Sequence, residues 1–300
     1  MEQMEPILID QRWVAAHLPA RPARAHKGSF GRLLVIAGSL EYAGAAVLAG
    51  LGAARAGAGL VCVASPESLV ARLMGVVPEL VALPLAEEAP GLIAPAGWRR
   101  LAVESNGYDA VVIGPGLGHL AATLRRTRSL IGELRRPTVV DADGLNALAT
   151  GGSWWRKLNA PLVLTPHPGE FARLTGAAEP PPDEDDARAA AASEAAARFG
   201  QVVVLKGAHT IVAGPNGDLR SSAVATPALA TAGSGDVLAG AVGAFLASGL
   251  DPLDAATCAV AVHGAAGLIA EQRIGRAGVI ARDIANLLPE AMEQLRGGRG

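Results

Sequence analysis

Apolar residues along the chain fall into short continuous runs separated by alanine-rich stretches with a helical period. Leu33 to Ala37, Leu60 to Ala64, Ala110 to Ile113, Thr138 to Val140, Leu162 to Leu164 and Val202 to Leu205 are apolar or β-branched throughout and have strand length. Helical patterns, such as Val47 to Arg55, separate most of them. A strand covered on both faces has no polar side, so such runs joined by helices predict a mostly parallel sheet between two helical layers. After Lys206 the pattern changes. His209 to Ala213 and Leu219 to Ser222 flank the turn Gly214-Pro215-Asn216-Gly217 and predict an antiparallel hairpin that ends the sheet. Helices are predicted over Ala187 to Phe199, Asp236 to Ser248, Pro252 to Gln272 and Arg282 to Arg296. The proline- and carboxylate-rich segment Ala178 to Asp186 reads as an exposed loop, and the sheet pattern continues on both sides of it. Residues 1–300 are therefore read as one α/β domain.

Composition narrows the partners. Half of the 300 residues are apolar, enough for a large core, and a net charge of -2 with scattered Lys and Arg lacks the basic footprint of nucleic-acid binding. The most apolar stretches do not read as membrane spans: Ala43 to Ala64 is broken by Arg55, and Val237 to Leu250 is shorter than the roughly 20 residues a span needs. Met1 to Asp10 is acidic and has no signal-peptide core, so a cytoplasmic location is expected. Cys62 and Cys258 sit in apolar surroundings, as buried thiols do.

Unusual residues gather where the strands end, which is where parallel sheets bind ligands. In Ala232-Gly233-Ser234-Gly235-Asp236-Val237, small residues open an apolar helix whose first amides are free, making an anion site with the helix dipole behind it. Asp236 there is either a cap or a base for a hydroxyl that attacks phosphorus. Lys206-Gly207-Ala208-His209-Thr210 follows a strand and offers amides and a hydroxyl to a nucleotide; in a chain with three lysines, Lys206 is conspicuous. His167, between two prolines in Thr165-Pro166-His167-Pro168-Gly169-Glu170, stands on a stiff loop suited to a ligand contact, with Glu170 favouring the helix dipole. Asp141 and Asp143 either hold magnesium through waters or act as caps and turn formers. Gly114-Pro115-Gly116-Leu117-Gly118 permits close backbone approach, and Gly44-Ala45-Ala46, placed before a helix, admits either a bulky ligand or close packing. His17, His26, His119 and His263 read as structural or surface groups.

Taken in order, Lys27-Gly28-Ser29-Phe30-Gly31, Ala37-Gly38-Ser39, Gly44-Ala45, Gly114 to Gly118, Asp141-Ala142-Asp143, His167-Pro168-Gly169-Glu170, Lys206-Gly207 and Gly233-Ser234-Gly235-Asp236 resemble the ADP-dependent NAD(P)H-hydrate dehydratases. The resemblance implies a ribokinase-like three-layer α/β/α fold and repair of the S-epimer of hydrated NADH or NADPH, with ADP converted to AMP and phosphate. It implies Asp236 as the base and Ala45, Gly116, Gly118, His167 and Asp236 as contacts to the hydrate. Lys206, Gly207, Ala208, His209, Thr210, Gly233, Ser234 and Gly235 would contact the adenine nucleotide, with Mg2+ as its companion. It also implies a homotetramer and a separate epimerase, since the chain is too short to carry one. One departure is Thr226-Pro227-Ala228-Leu229-Ala230-Thr231-Ala232-Gly233, where many relatives read Asn-Pro-Gly-Met-Ala-Thr-Gly-Gly. A small-molecule kinase of the thiazole or hydroxymethylpyrimidine type, and a nucleotide-binding regulator without catalysis, are the competing readings.

Overall fold

The computed structural model describes residues 6–297, so the first half of the segment Met1 to Asp10 lies outside the described residues. The strands are β1 (Ile7–Leu8), β2 (Arg32–Ile36), β3 (Leu60–Pro66), β4 (Val81–Leu85), the small hairpin β5 (Glu87–Ala89) and β6 (Leu92–Ile93), then β7 (Ala110–Ile113), β8 (Thr138–Val140), β9 (Leu162–Leu164), β10 (Val202–Leu205), β11 (Ile211–Ala213) and β12 (Leu219–Ser221). Apart from β5 and β6 they form one sheet in the order β1-β12-β11-β10-β9-β8-β7-β2-β3-β4. From β10 to β4 every pairing is parallel, as the continuous apolar runs predict. The β11–β12 hairpin is antiparallel but does not end the sheet. The two-residue strand β1 pairs parallel to β12 and forms the edge; it is too short to leave a periodic signal.

Successive residues of each strand face opposite layers. Leu33, Val35, Val61, Val63, Val112 and Val204 pack with the helices Ala43–Ala56, Ser234–Ala247, Pro252–Ile274 and Ala281–Leu295. Leu34, Ile36, Val111, Ile113, Val203 and Leu205 pack with the helices Pro95–Glu104, Ala121–Glu133, Asp143–Ala149, Pro168–Thr175 and Asp185–Phe199. Pro252–Ile274 is long and apolar enough to cross a membrane, but 72% of its most apolar window is buried inside the fold. Cys62 and Cys258 are buried free thiols, and burial pushes the Cys258 thiol up to about 12.

Two corrections concern helix starts. The helix expected at Val47 begins at Ala43, so Gly44, Ala45 and Ala46 form its first turn rather than a loop before it. The helix expected at Asp236 begins at Ser234. These two helices cross backbone against backbone: a Cβ on Gly52 would lie 2.5 Å from the Val237 carbonyl oxygen, and one on Gly240 would lie 2.1 Å from that of Ala49. Any side chain at either crossing glycine would drive the helices apart.

Candidate functional site

The chain leaves β2 toward β3 and β4 and then returns to β7 on the other side of β2, so a crevice opens at the carboxyl ends of β2 and β7. The Gly38 amide donates to the Pro115 carbonyl at 2.9 Å, tying the two strand-end loops together across it. Gly114 has φ 128° and no room for a side chain, since a Cβ would lie 1.9 Å from the Asp141 carbonyl oxygen. A Cβ on Gly116 would lie 2.9 Å from that of Ala45, which places these two candidate contacts side by side. The Gly118 amide donates to Asp143 Oδ2 at 2.8 Å, and the buried hydroxyl oxygen of Ser39, close by, has no partner among the described residues.

Opposite this wall stands the helix Ser234–Ala247. Its N-cap Gly233 is left-handed at φ 86°, and a side chain there would strike Leu48. Among the described residues the amides of Gly235 and Asp236 have no main-chain acceptor, so the helix presents free donors and the positive end of its dipole. Asp236 does not cap the helix, because the cap position belongs to Gly233. Burial, reinforced by the charge of Asp141 and opposed by that of Lys206, pushes its carboxyl up to about 8.

Lys206, at the end of β10, lies 2.9 Å from Asp141 Oδ1 and 3.7 Å from Glu170 Oε2. Burial disfavours the ammonium, but the two carboxylates outweigh it and hold its pKa above the ordinary value. A Cβ on Gly235 would lie 3.3 Å from Lys206 Nζ, so the ammonium abuts the anion loop. Asp141 also accepts the Thr165 hydroxyl at 2.7 Å. Neither Asp141 nor Asp143 caps a helix: the cap position is Ala142, at φ 48° the one non-glycine residue with positive φ among the described residues. Asp143 is held by Gly118 and Asn146. With both carboxylates committed, and no cluster of three metal-ligating side chains among the described residues, the chain builds no preformed magnesium cage.

His167 caps the helix Pro168–Thr175: its Nδ1 accepts from the Gly169 amide at 3.1 Å, and Glu170 accepts the His167 amide at 2.8 Å. The loop is stiff as expected, but the ring spends one nitrogen on its own helix, and Glu170 does more than meet a dipole because it also faces Lys206. In the loop after β10, the amides of Gly207, Ala208, His209 and Thr210 have no protein acceptor among the described residues. The His209 ring turns to Asp185 at 2.7 Å. The loop is fixed from below by Arg188, 4% exposed, whose guanidinium donates to the carbonyls of Leu205 (3.2 Å) and His209 (3.1 Å). Arg188 sits inside an alanine-rich helix with no local signature, so the sequence reading missed it. Arg188→Lys keeps the charge and loses the two-pronged reach. It is expected to raise the KM for adenine nucleotide about tenfold, an effect of about 1.4 kcal/mol; an unchanged KM would show that the clamp does not set the loop.

The free amides, the lysine beside them and the raised carboxyl thus meet in one crevice, an arrangement suited to holding a phosphate and taking a proton near it. Comparison with known proteins places the chain in a family. Residues 33–290 match the family described as NAD(P)H-hydrate dehydratase. The chain is 38% identical over 287 residues to the ADP-dependent (S)-NAD(P)H-hydrate dehydratase of Xanthomonas campestris, covering 95% of this chain and 96% of that one. It is 40% identical over 279 residues, 93% of its length, to the bifunctional NAD(P)H-hydrate repair enzyme of Thermofilum pendens. The chain spans about half the length of such bifunctional relatives (53% of the Thermofilum protein). Among solved structures, the ADP/ATP-dependent NAD(P)H-hydrate dehydratase of Bacillus subtilis, co-crystallized with ATP/Mg2+, superposes with a TM-score of 0.83 at 32% identity, covering 97% of this chain and 99% of that one. A ribokinase-like superfamily protein of Enterococcus faecalis, 23% identical, covers 98% of this chain and 99% of that one at a TM-score of 0.81 and shares the fold. The strand order, the strand-end loops and these likenesses agree, and the chain belongs to the NAD(P)H-hydrate dehydratase family.

Proposed function

We propose that this protein dehydrates the S-epimer of NADH or NADPH hydrate at the expense of ADP. The observation that carries the reading is Asp236, a carboxylate with a raised pKa at the mouth of a helix whose free amides form an anion site. ADP's β-phosphate is held by the amides of Gly235 and Asp236 with Lys206 beside them, and its adenosine half lies along Lys206 to Thr210. The hydrate occupies the wall formed by Ala45, Gly116 and Gly118, with His167 at its rim. Asp236 takes the proton of the hydrate's hydroxyl, the oxygen attacks the β-phosphorus, and the bond to AMP breaks. The new phosphate ester is then eliminated, forming the ring double bond of the dihydronicotinamide and releasing inorganic phosphate. Mg2+ would arrive on the nucleotide's phosphates rather than in a protein cage.

We also propose a cytoplasmic homotetramer working beside a separate epimerase; bifunctional relatives about twice as long as this chain support the pairing. Light scattering checks the assembly. The function itself is tested with hydrated NADH and purified protein: absorbance of NADH is expected to recover with ADP, with AMP and phosphate formed in equal amounts. Transfer of phosphate to a small alcohol, with no recovery of NADH, would assign the site to a kinase instead.

A further inference from the structure

His263 lies in the middle of the helix Pro252–Ile274, buried against the first residue of the anion-loop helix. It is 7% exposed, and its Nε2 lies 3.1 Å from both the carbonyl oxygen and the hydroxyl oxygen of Ser234, the first residue of the anion-loop helix. A carbonyl oxygen only accepts, so Nε2 must carry the proton, which fixes the tautomer. Nε2–H then points at two oxygens at once, and the Ser234 hydroxyl is the acceptor in its pair. Its own hydrogen is not spent on the imidazole.

Resting on the dehydratase reading, we propose that His263 is a positioning residue that holds the Ser234 side chain as an acceptor from behind, so that its O–H donates forward to ADP's β-phosphate. The anion hole then has a third donor besides the amides of Gly235 and Asp236. The groups that face the ring agree. Burial and the nearby Lys206 push the imidazole down to about 4, so it stays neutral and does not compete with Lys206 for the phosphate. Without the imidazole, nothing holds the serine hydroxyl from behind, and it is free to turn away from the phosphate.

The contact is to the β-phosphate, so ADP and AMP separate it from a general loosening of the fold. Calorimetric binding reads the contact whether or not hydrate is turned over, which keeps a failure here distinct from a failure of the dehydratase reading. Ser234→Ala and His263→Phe are each expected to weaken ADP about 10- to 100-fold, the effect of one hydrogen bond to a charged group, while AMP binding stays near wild type. The double variant is expected to be no weaker than either single one, because His263 acts through Ser234. His263→Gln, which retains an N–H donor, is expected to recover most of the affinity. Unchanged ADP affinity, equal loss of AMP, or additive losses would each overturn the proposal. A variant-free measurement covers the case in which His263→Phe does not fold. The ring nitrogen spectrum of the wild-type protein should show the neutral Nε2–H tautomer between about pH 6 and 8, and an Nδ1–H tautomer or an imidazolium there would overturn it.

Discussion

Asp236→Asn is expected to lower kcat for hydrate conversion by about 10²–10⁴-fold, the usual contribution of a positioned base, while ADP still binds. Asparagine fills the same space and keeps the helix start, so the loss belongs to the proton transfer. In wild type the free enzyme carries the group with its carboxyl near pH 8. Because kcat/KM reports the free enzyme, it should rise with pH through about 8 and lose that limb in the variant. An acid limb in the ordinary carboxylate range would sink the assignment. The sign for stability is opposite. The folded carboxyl holds its proton above the ordinary value of 3.8 and the unfolded one does not, so this group's contribution is complete below that value and is lost as pH rises toward about 8. Asp236→Asn should therefore be more stable than wild type at neutral pH, and less active. Thermal unfolding against pH checks the stability, and the hydrate assay checks the activity.

Lys206→Met should be the more damaging change to the fold. It leaves Asp141, 1% exposed, and Glu170, 6% exposed, without the cation that lies 2.9 Å and 3.7 Å from them. Removing one partner of a buried ion pair typically costs about 3–5 kcal/mol, because the surviving charge has lost its water as well as its partner. Urea unfolding at neutral pH should show a loss of that size. Adding Asp141→Asn to Lys206→Met should restore part of it, since a neutral amide needs no counter-charge; a double variant less stable than Lys206→Met alone would mean that the ion pair is not what the lysine contributes.

Much of the site was legible because it lies where apolar runs stop. The parallel arrangement followed from strands with no polar face, and it put Gly38, Gly114, Asp141, Thr165 and Lys206 at one end of the sheet. Gly233 to Asp236 could be read as an anion site because small residues before an apolar helix leave amides free. Illegible were the contacts that cross the fold between residues far apart in sequence. His263 and Ser234 are separated by 29 positions, and Arg188 reaches a loop about 20 residues on. Neither residue carries a local signature, and an isolated histidine or arginine in an alanine-rich helix looks like any other. Glu170 was read only as a helix-start carboxylate because its second role depends on Lys206 arriving from the neighbouring strand. The edge strand β1 and the true start of the helix Ala43–Ala56 were missed for a simpler reason: two residues have no period, and glycine and alanine in a first turn look like loop.

The glycine crossing of the helices Ala43–Ala56 and Ser234–Ala247 has a dynamic consequence. With no side chain between the backbones at Gly52 and Gly240, there is nothing to slide or repack, and one helix cannot rotate against the other without main-chain overlap. The wall that carries Ala45 and the helix end that carries Asp236 are therefore expected to move as one body. On the proposed assignment, substrate entry relies on the strand-end loops instead, and the distance between the Ala45 wall and Asp236 is set at folding rather than on binding. On warming, such a site has no softer mode by which to fail early, so the loss of activity and the loss of tertiary structure should fall on the same curve.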